Sequence, residues 1–101
     1  MINVIAFIRL KEARVPEYIE IVKANIPHVI KEEGCLEYRP TIDHPTDLPP
    51  QALDSNVVTI IEKWRTIEDL LAHFSAPHML AYREKVKNIV DKISIKVLTD
   101  V

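Results

Sequence analysis

His73 and His78 lie in the run Asp69–Leu70–Leu71–Ala72–His73–Phe74–Ser75–Ala76–Pro77–His78–Met79, just past Ile61–Glu62–Lys63–Trp64. An imidazole has an unperturbed pKa of about 6.5, so either ring could accept a phenolic or enolic proton at neutral pH. His73 falls late in a helical pattern, where it could equally fill a partly polar hole or stabilise the helix end. His78 falls in the first turn of the next helix, whose positive end favours the neutral ring. Such a ring could hydrogen-bond a substrate oxygen or orient His73, or simply be a half-exposed turn residue. The i, i+5 spacing across a helix break is not the i, i+4 pair of a helical zinc site, and no third ligand is obvious, so no metal is expected.

Four further residues could shape a site around these histidines. Glu62 is in phase with Val58, Ile60 and Trp64; if that face is covered, the carboxylate needs a partner. It is then an ion-pair or capping residue, or a substrate contact. Trp64 and Phe74 could wall an aromatic slot or fill the core. Tyr38 could donate to a substrate oxygen or pack as a core ring. Cys35 is the single cysteine, so it has no disulfide partner within the chain and no set of thiolates for zinc; buried free cysteine is its ordinary state. His28 and His44 read as surface residues.

Composition narrows the classes. The chain has 101 residues, the length of one domain, residues 1–101. Its net charge of −2, with acids and bases interspersed, offers no basic stripe for nucleic acid or anionic membrane. The apolar start, Met1 to Leu10, is too short to span a bilayer and lacks the marks of a secretory signal. A cytoplasmic protein is expected. One glycine in the whole chain excludes the Gly-rich loops that cradle phosphates, so no nucleotide cofactor is expected.

The elements that would position these residues follow from periodicity. Ile2 to Leu10 reads as a strand with Val4, Ala6, Ile8 and Leu10 on one face and Ile5 and Phe7 on the other. Both faces are apolar, so something must cover the second. Val15–Pro16 opens a helix with Glu17 and Glu20 near its positive end and a stripe of Tyr18, Ile21, Val22, Val29 and Ile30. Pro27 should kink or split it near Asn25–Ile26, and Gly34 should stand just past its end. Cys35 to Ile42 reads as a strand with Leu36, Tyr38 and Pro40 on one side, Pro40 marking an edge. Asp43 to Asn56 is a long Pro-rich loop, a candidate lid or interface arm. Val57 to Trp64 is the clearest strand. Thr66 caps a helix with Ile67, Leu70, Leu71 and Phe74 inward and Asp69 at the capping-box position. Ser75 and Pro77 break it and open another helix, running to about Asp91, with Met79, Tyr82, Val86, Ile89 and Val90 inward. Ile93 to Leu98 is the last strand. The fold class is α+β: a ferredoxin-like β-α-β-β-α-β arrangement with a four-stranded antiparallel sheet. Its apolar open face predicts a homodimer, since that surface would otherwise aggregate.

Three segments carry a family resemblance. Glu33–Gly34–Cys35–Leu36–Glu37–Tyr38 resembles the E-x-G-C-x-x-Y turn after the first helix of the antibiotic biosynthesis monooxygenase domain. Val57 to Trp64 resembles its v-i-i-E-x-W strand, and Leu70 to His78 its L-x-x-H-x-x-x-P-H junction. The resemblance implies a dimeric α+β barrel with a pocket between sheet and helices. It also implies a quinol or polycyclic phenol oxidised by dioxygen without metal, flavin or haem. Haem degradation, also found in the family, is not expected. Ala6, Phe7 and Ile8 stand where that branch has an Asn, and its axial histidine falls farther along the last helix, near Tyr82, where this chain has none. The reading is a cofactor-independent monooxygenase with a small aromatic or quinol-like substrate. His73 would take the substrate proton and His78 would hold the anion, with Tyr38, Glu62, Trp64 and Phe74 as substrate contacts. An isomerase working by proton abstraction next to a carbonyl, and a non-catalytic small-ligand-binding module, are the alternatives, because a fold does not fix a reaction.

Overall fold

The structure is a computed structural model describing residues 1–101. Its elements are β1 (Ile2–Leu10), α1 (Val15–Val29), β2 (Cys35–Thr41), β3 (Val57–Trp64), α2 (Ile67–Phe74), α3 (Pro77–Val86) and β4 (Val90–Leu98). The four strands form one antiparallel sheet in the order β2-β3-β1-β4. This is the ferredoxin-like α+β arrangement, with its second crossover made of two helices. The long hydrophobic runs of β1 and β3 take the centre, where both edges of a strand are paired.

Alternation along the strands sets the layers. Val4, Ala6, Ile8 and Leu10 of β1 and Val58, Ile60, Glu62 and Trp64 of β3 are buried on the helix side. α1 packs on β2 and α3, and α2 on β3. Tyr18, Val22 and Val29 of α1 complete this core with Leu70, Met79, Tyr82 and Val86. The other face bears Ile5, Phe7, Val57 and Ile61 with no helix over it; Phe7 is 37 % exposed. The helices also stop short of β4. Ile93, Ile95 and Val97 pair with Ile8, Ala6 and Val4, and so share the helix-side face, yet all three are exposed. No helix is long and apolar enough to cross a membrane.

Several local expectations are corrected. Pro27 neither splits nor ends α1; it lies in the last turn, and the helix closes through the Ile30 N–H bonded to the Ile26 carbonyl. Ile30 is exposed, and the buried stripe takes Asn25 instead. Gly34 is not the residue just past the helix but lies farther on, at φ +77 in the turn into β2. Glycine is required there twice over: by the left-handed backbone, and because a Cβ would overlap the Asp69 carboxylate. A register shift between Cys35 and Glu37 turns Leu36 outward while Tyr38 and Pro40 face the helices. Ile67 and Leu71 are exposed; α2 buries Leu70 and His73. α3 ends at Val86, and β4 begins at Val90, both earlier than periodicity indicates.

The loop 43–56 folds back on its own chain. The Asp54 N–H donates to Asp43 Oδ2 at 2.8 Å, and Arg9 pairs with Asp54 at 2.8 Å. Leu48 and Leu53 remain exposed on it.

Candidate active site

Three segments converge at the buried side of β3. The turn after α1 brings Glu32, the α2–α3 junction brings His73 and His78, and β3 itself brings Glu62 and Trp64. Thr66 starts α2, its Oγ1 accepting the Asp69 N–H at 3.1 Å. Eight residues later the helix stops at Phe74, whose carbonyl accepts from Arg83 across the break. This short helix aims His73 into the core, where it is 1 % exposed.

Glu32 is the organising group. Its Oε2 lies 2.8 Å from His73 Nδ1 and 2.8 Å from His78 Nε2. A carboxylate only accepts, so both facing ring nitrogens donate, and His73 is left with a free lone pair on Nε2. Nε2 has no partner in the protein, and His73 is one of the residues that line a cavity. Burial is the main influence on His73 and holds its pKa below the ordinary value; the bond to Glu32 opposes this. The ring is therefore neutral at pH 7 and able to accept a proton.

That cavity has a volume of about 110 Å³ between the sheet and α2–α3. His73, Glu62, Tyr38 and Phe74 reach it, and Ile93 and Ile95 form its side toward β4. Since those two isoleucines are exposed, the cavity opens at the β4 edge. Glu62 is buried, and burial pushes its pKa up to about 7; the Trp64 indole N–H, donating at 3.0 Å, pulls the other way, and the Glu32 charge adds to the rise. Tyr38 is raised well above the usual phenol range, chiefly by burial, and so stays a neutral donor. A wider groove of about 440 Å³ lies beyond Tyr38, but of acid–base groups it has only Lys23, Arg39 and that tyrosine. The smaller cavity is where a carboxyl raised by burial and an imidazole lowered by burial face one space.

Two assignments change. His78 does not face this cavity. It sits on the far side of Glu32 and lines a separate cleft of about 120 Å³ between α1 and α3, its ring stacked on His28 at 5.7 Å. It can reach a bound molecule only through Glu32. Trp64 is fully buried behind the cavity, its ring centroid 4.7 Å from that of His73, and does not line it. Periodicity overlooked Glu32 altogether; its one signal was its place two residues before Gly34, where the E of the E-x-G-C-x-x-Y pattern falls on Glu32, not on Glu33. Cys35 is half-buried with its thiol pushed up to about 11, mainly by burial, so it is not a reactive thiolate.

The family profile for antibiotic biosynthesis monooxygenase matches residues 1–85. The chain belongs to the antibiotic biosynthesis monooxygenase family. Among relatives, the Escherichia coli (strain K12) protein named "Probable quinol monooxygenase YgiN" is 36% identical over 104 residues, covering 97% of this chain and 96% of its own. PA3566 from Pseudomonas aeruginosa has a similar structure, with a TM-score of 0.82 at 22% identity, covering 99% of this chain and 93% of its own. The Nitrosomonas europaea "Putative antibiotic biosynthesis monooxygenase" has a TM-score of 0.83 at 19% identity, covering 100% and 99%. The family match stops within α3, so β4, which borders the cavity mouth, lies outside the matched residues.

Proposed function

We propose that this member of the family is a monooxygenase that oxidises a quinol or related phenol with dioxygen. The observation that carries the reading is the buried His73 ring lining the cavity, its Nδ1 held by Glu32 and its Nε2 free of any protein partner. Nε2 takes the substrate's phenolic or enolic proton. The resulting anion is electron-rich enough to pass an electron to dioxygen. The substrate supplies all the electrons: one oxygen atom enters the product and the other leaves as water. Tyr38 and the protonated fraction of Glu62 donate to the developing oxyanion. A cavity of about 110 Å³ holds the reacting ring, while the rest of the molecule lies over Ile93 and Ile95. The open sheet face with Phe7 is covered by a second copy, giving a homodimer. The single free thiol suits a cytoplasmic setting.

Oxygen uptake with a panel of reduced quinones tests this. Wild type consumes oxygen well above autoxidation, and His73→Ala falls by about a hundredfold, the usual contribution of a positioned base. Uptake equal in the two proteins would sink the reading. A second reading has a specific observation behind it: Glu62, at about 7, shares a cavity with His73, a pairing suited to moving a proton next to a carbonyl. Turnover under anaerobic conditions would favour that isomerase.

A further inference from the structure

Glu32 connects two spaces that are otherwise separate. Side-chain exposure rises along the line from the cavity outward: 2% at His73, 12% at Glu32 and 23% at His78. His73 lines the cavity, and its Nε2 has no protein partner. At the other end His78 lines the α1–α3 cleft, and its Nδ1 has no protein partner. Both inner nitrogens lie against one carboxylate oxygen, so two protonated rings there would repel strongly while one is well compensated.

We propose that His78 is the proton-release port of the site. The unit Glu32–His73–His78 carries its positive charge on one ring at a time. When His73 Nε2 takes the substrate proton, His78 gives up a proton from Nδ1 to water in the cleft; when His73 is deprotonated, His78 recovers one. One proton enters at the cavity and one leaves at the cleft, without any proton crossing the carboxylate and without a change in the unit's total charge. Glu32 and His78 are thus positioning residues acting through His73. This rests on the oxygenase reading only for the source of the incoming proton. Other charged or titratable groups face the pair on both sides: Glu62, Tyr38 and Arg83 toward the cavity, and His28, Lys85 and Tyr82 toward the cleft.

His78→Gln keeps a donor to Glu32 and removes the titration. Two measurements separate the possibilities. Ring-nitrogen NMR needs no substrate: in wild type the two rings titrate as a coupled pair, and in His78→Gln His73 titrates in one step at higher pH, because the opposing cation is gone. Glu32→Gln, checked for folding by circular dichroism, leaves the two rings coupled and moves the His73 titration to lower pH, because the compensating charge is lost. His73 titrating identically in wild type and His78→Gln overturns the proposal. In turnover, kcat of His78→Gln drops about tenfold with KM unchanged, and is restored as the concentration of a small imidazole buffer is raised. A drop that no buffer restores makes His78 a packing residue and also overturns the proposal. Absence of quinol oxidation by wild type defeats the oxygenase reading alone, since the NMR result stands apart from it.

Discussion

The Trp64 indole N–H donates to Glu62 Oε1 at 3.0 Å while the same ring packs against His73. One fully buried side chain thus fixes both the acid and the base of the candidate site. Trp64→Phe keeps most of the ring and deletes the donor. The lost bond is the one influence that lowers the Glu62 pKa, so its titration is expected to move above about 7. Leaving the buried carboxyl with one partner fewer is expected to destabilise the fold by about 1–3 kcal/mol. Carboxyl-carbon NMR reads the first effect and the denaturant midpoint the second. An unmoved Glu62 titration would mean that the bond is not made in solution.

Glu62 also predicts a pH dependence of stability. Its carboxyl has an ordinary pKa of 4.5, and in the fold it titrates at about 7. Between those values the folded chain holds a proton that the unfolded chain has released, so its contribution to stability falls as pH rises through that window. Above it the full penalty is on the order of 3 kcal/mol. His73 acts with the opposite sign: its lowered pKa makes stability fall as pH drops below the ordinary imidazole value. Subtracting wild type from Glu62→Gln isolates the carboxyl. The variant should be the more stable protein at pH 8, and the gap should close toward pH 4.5, as read by urea denaturation at each pH. A gap independent of pH would refute the raised pKa.

Gly34 should tolerate no side chain. Its φ of +77 is costly for alanine, and the added Cβ would displace the Asp69 carboxylate at the start of α2. Gly34→Ala should lower stability by roughly 1–3 kcal/mol. It should also disturb the neighbouring Glu32, seen as a changed His73 ring resonance. Retention of both wild-type stability and that resonance would refute the close approach.

Phe7 stands on the open sheet face beside Ile5 and is 37 % exposed. If a second copy covers this face, Phe7→Glu buries an unpaired charge in the contact and separates the copies. Sedimentation should then show a dimer for wild type and a monomer for the variant. A monomeric wild type would mean that the apolar face is covered by something else.

The strands and helices were legible because alternation and helical spacing are local properties of a chain. The apolar faces of Ile2–Leu10 and Val57–Trp64, the Thr66 cap and the break at Ser75–Pro77 all follow from neighbours a few residues apart. The apolar second face of β1 could be read as a surface needing cover for the same reason. Local spacing failed where geometry is set by other segments. It carried α3 on toward Asp91, although Ile89 is buried only as part of the turn into β4. It placed Leu71 inside and could not tell that His73 would be the buried residue of α2.

The site itself depended on contacts that periodicity does not contain. Glu32 is 41 residues from His73 and 46 from His78 in the chain, and a helical pattern says nothing about which distant turn will meet a given helix end. The sequence by itself determined that two imidazoles flank a helix break just after an apolar strand that carries a carboxylate and an indole. Only the tertiary structure decided that Glu32 orients both rings, that His73 faces the cavity and that His78 faces the cleft. The physical reason is that a buried hydrogen-bond network needs every donor and acceptor matched, and that matching is settled by packing across the chain.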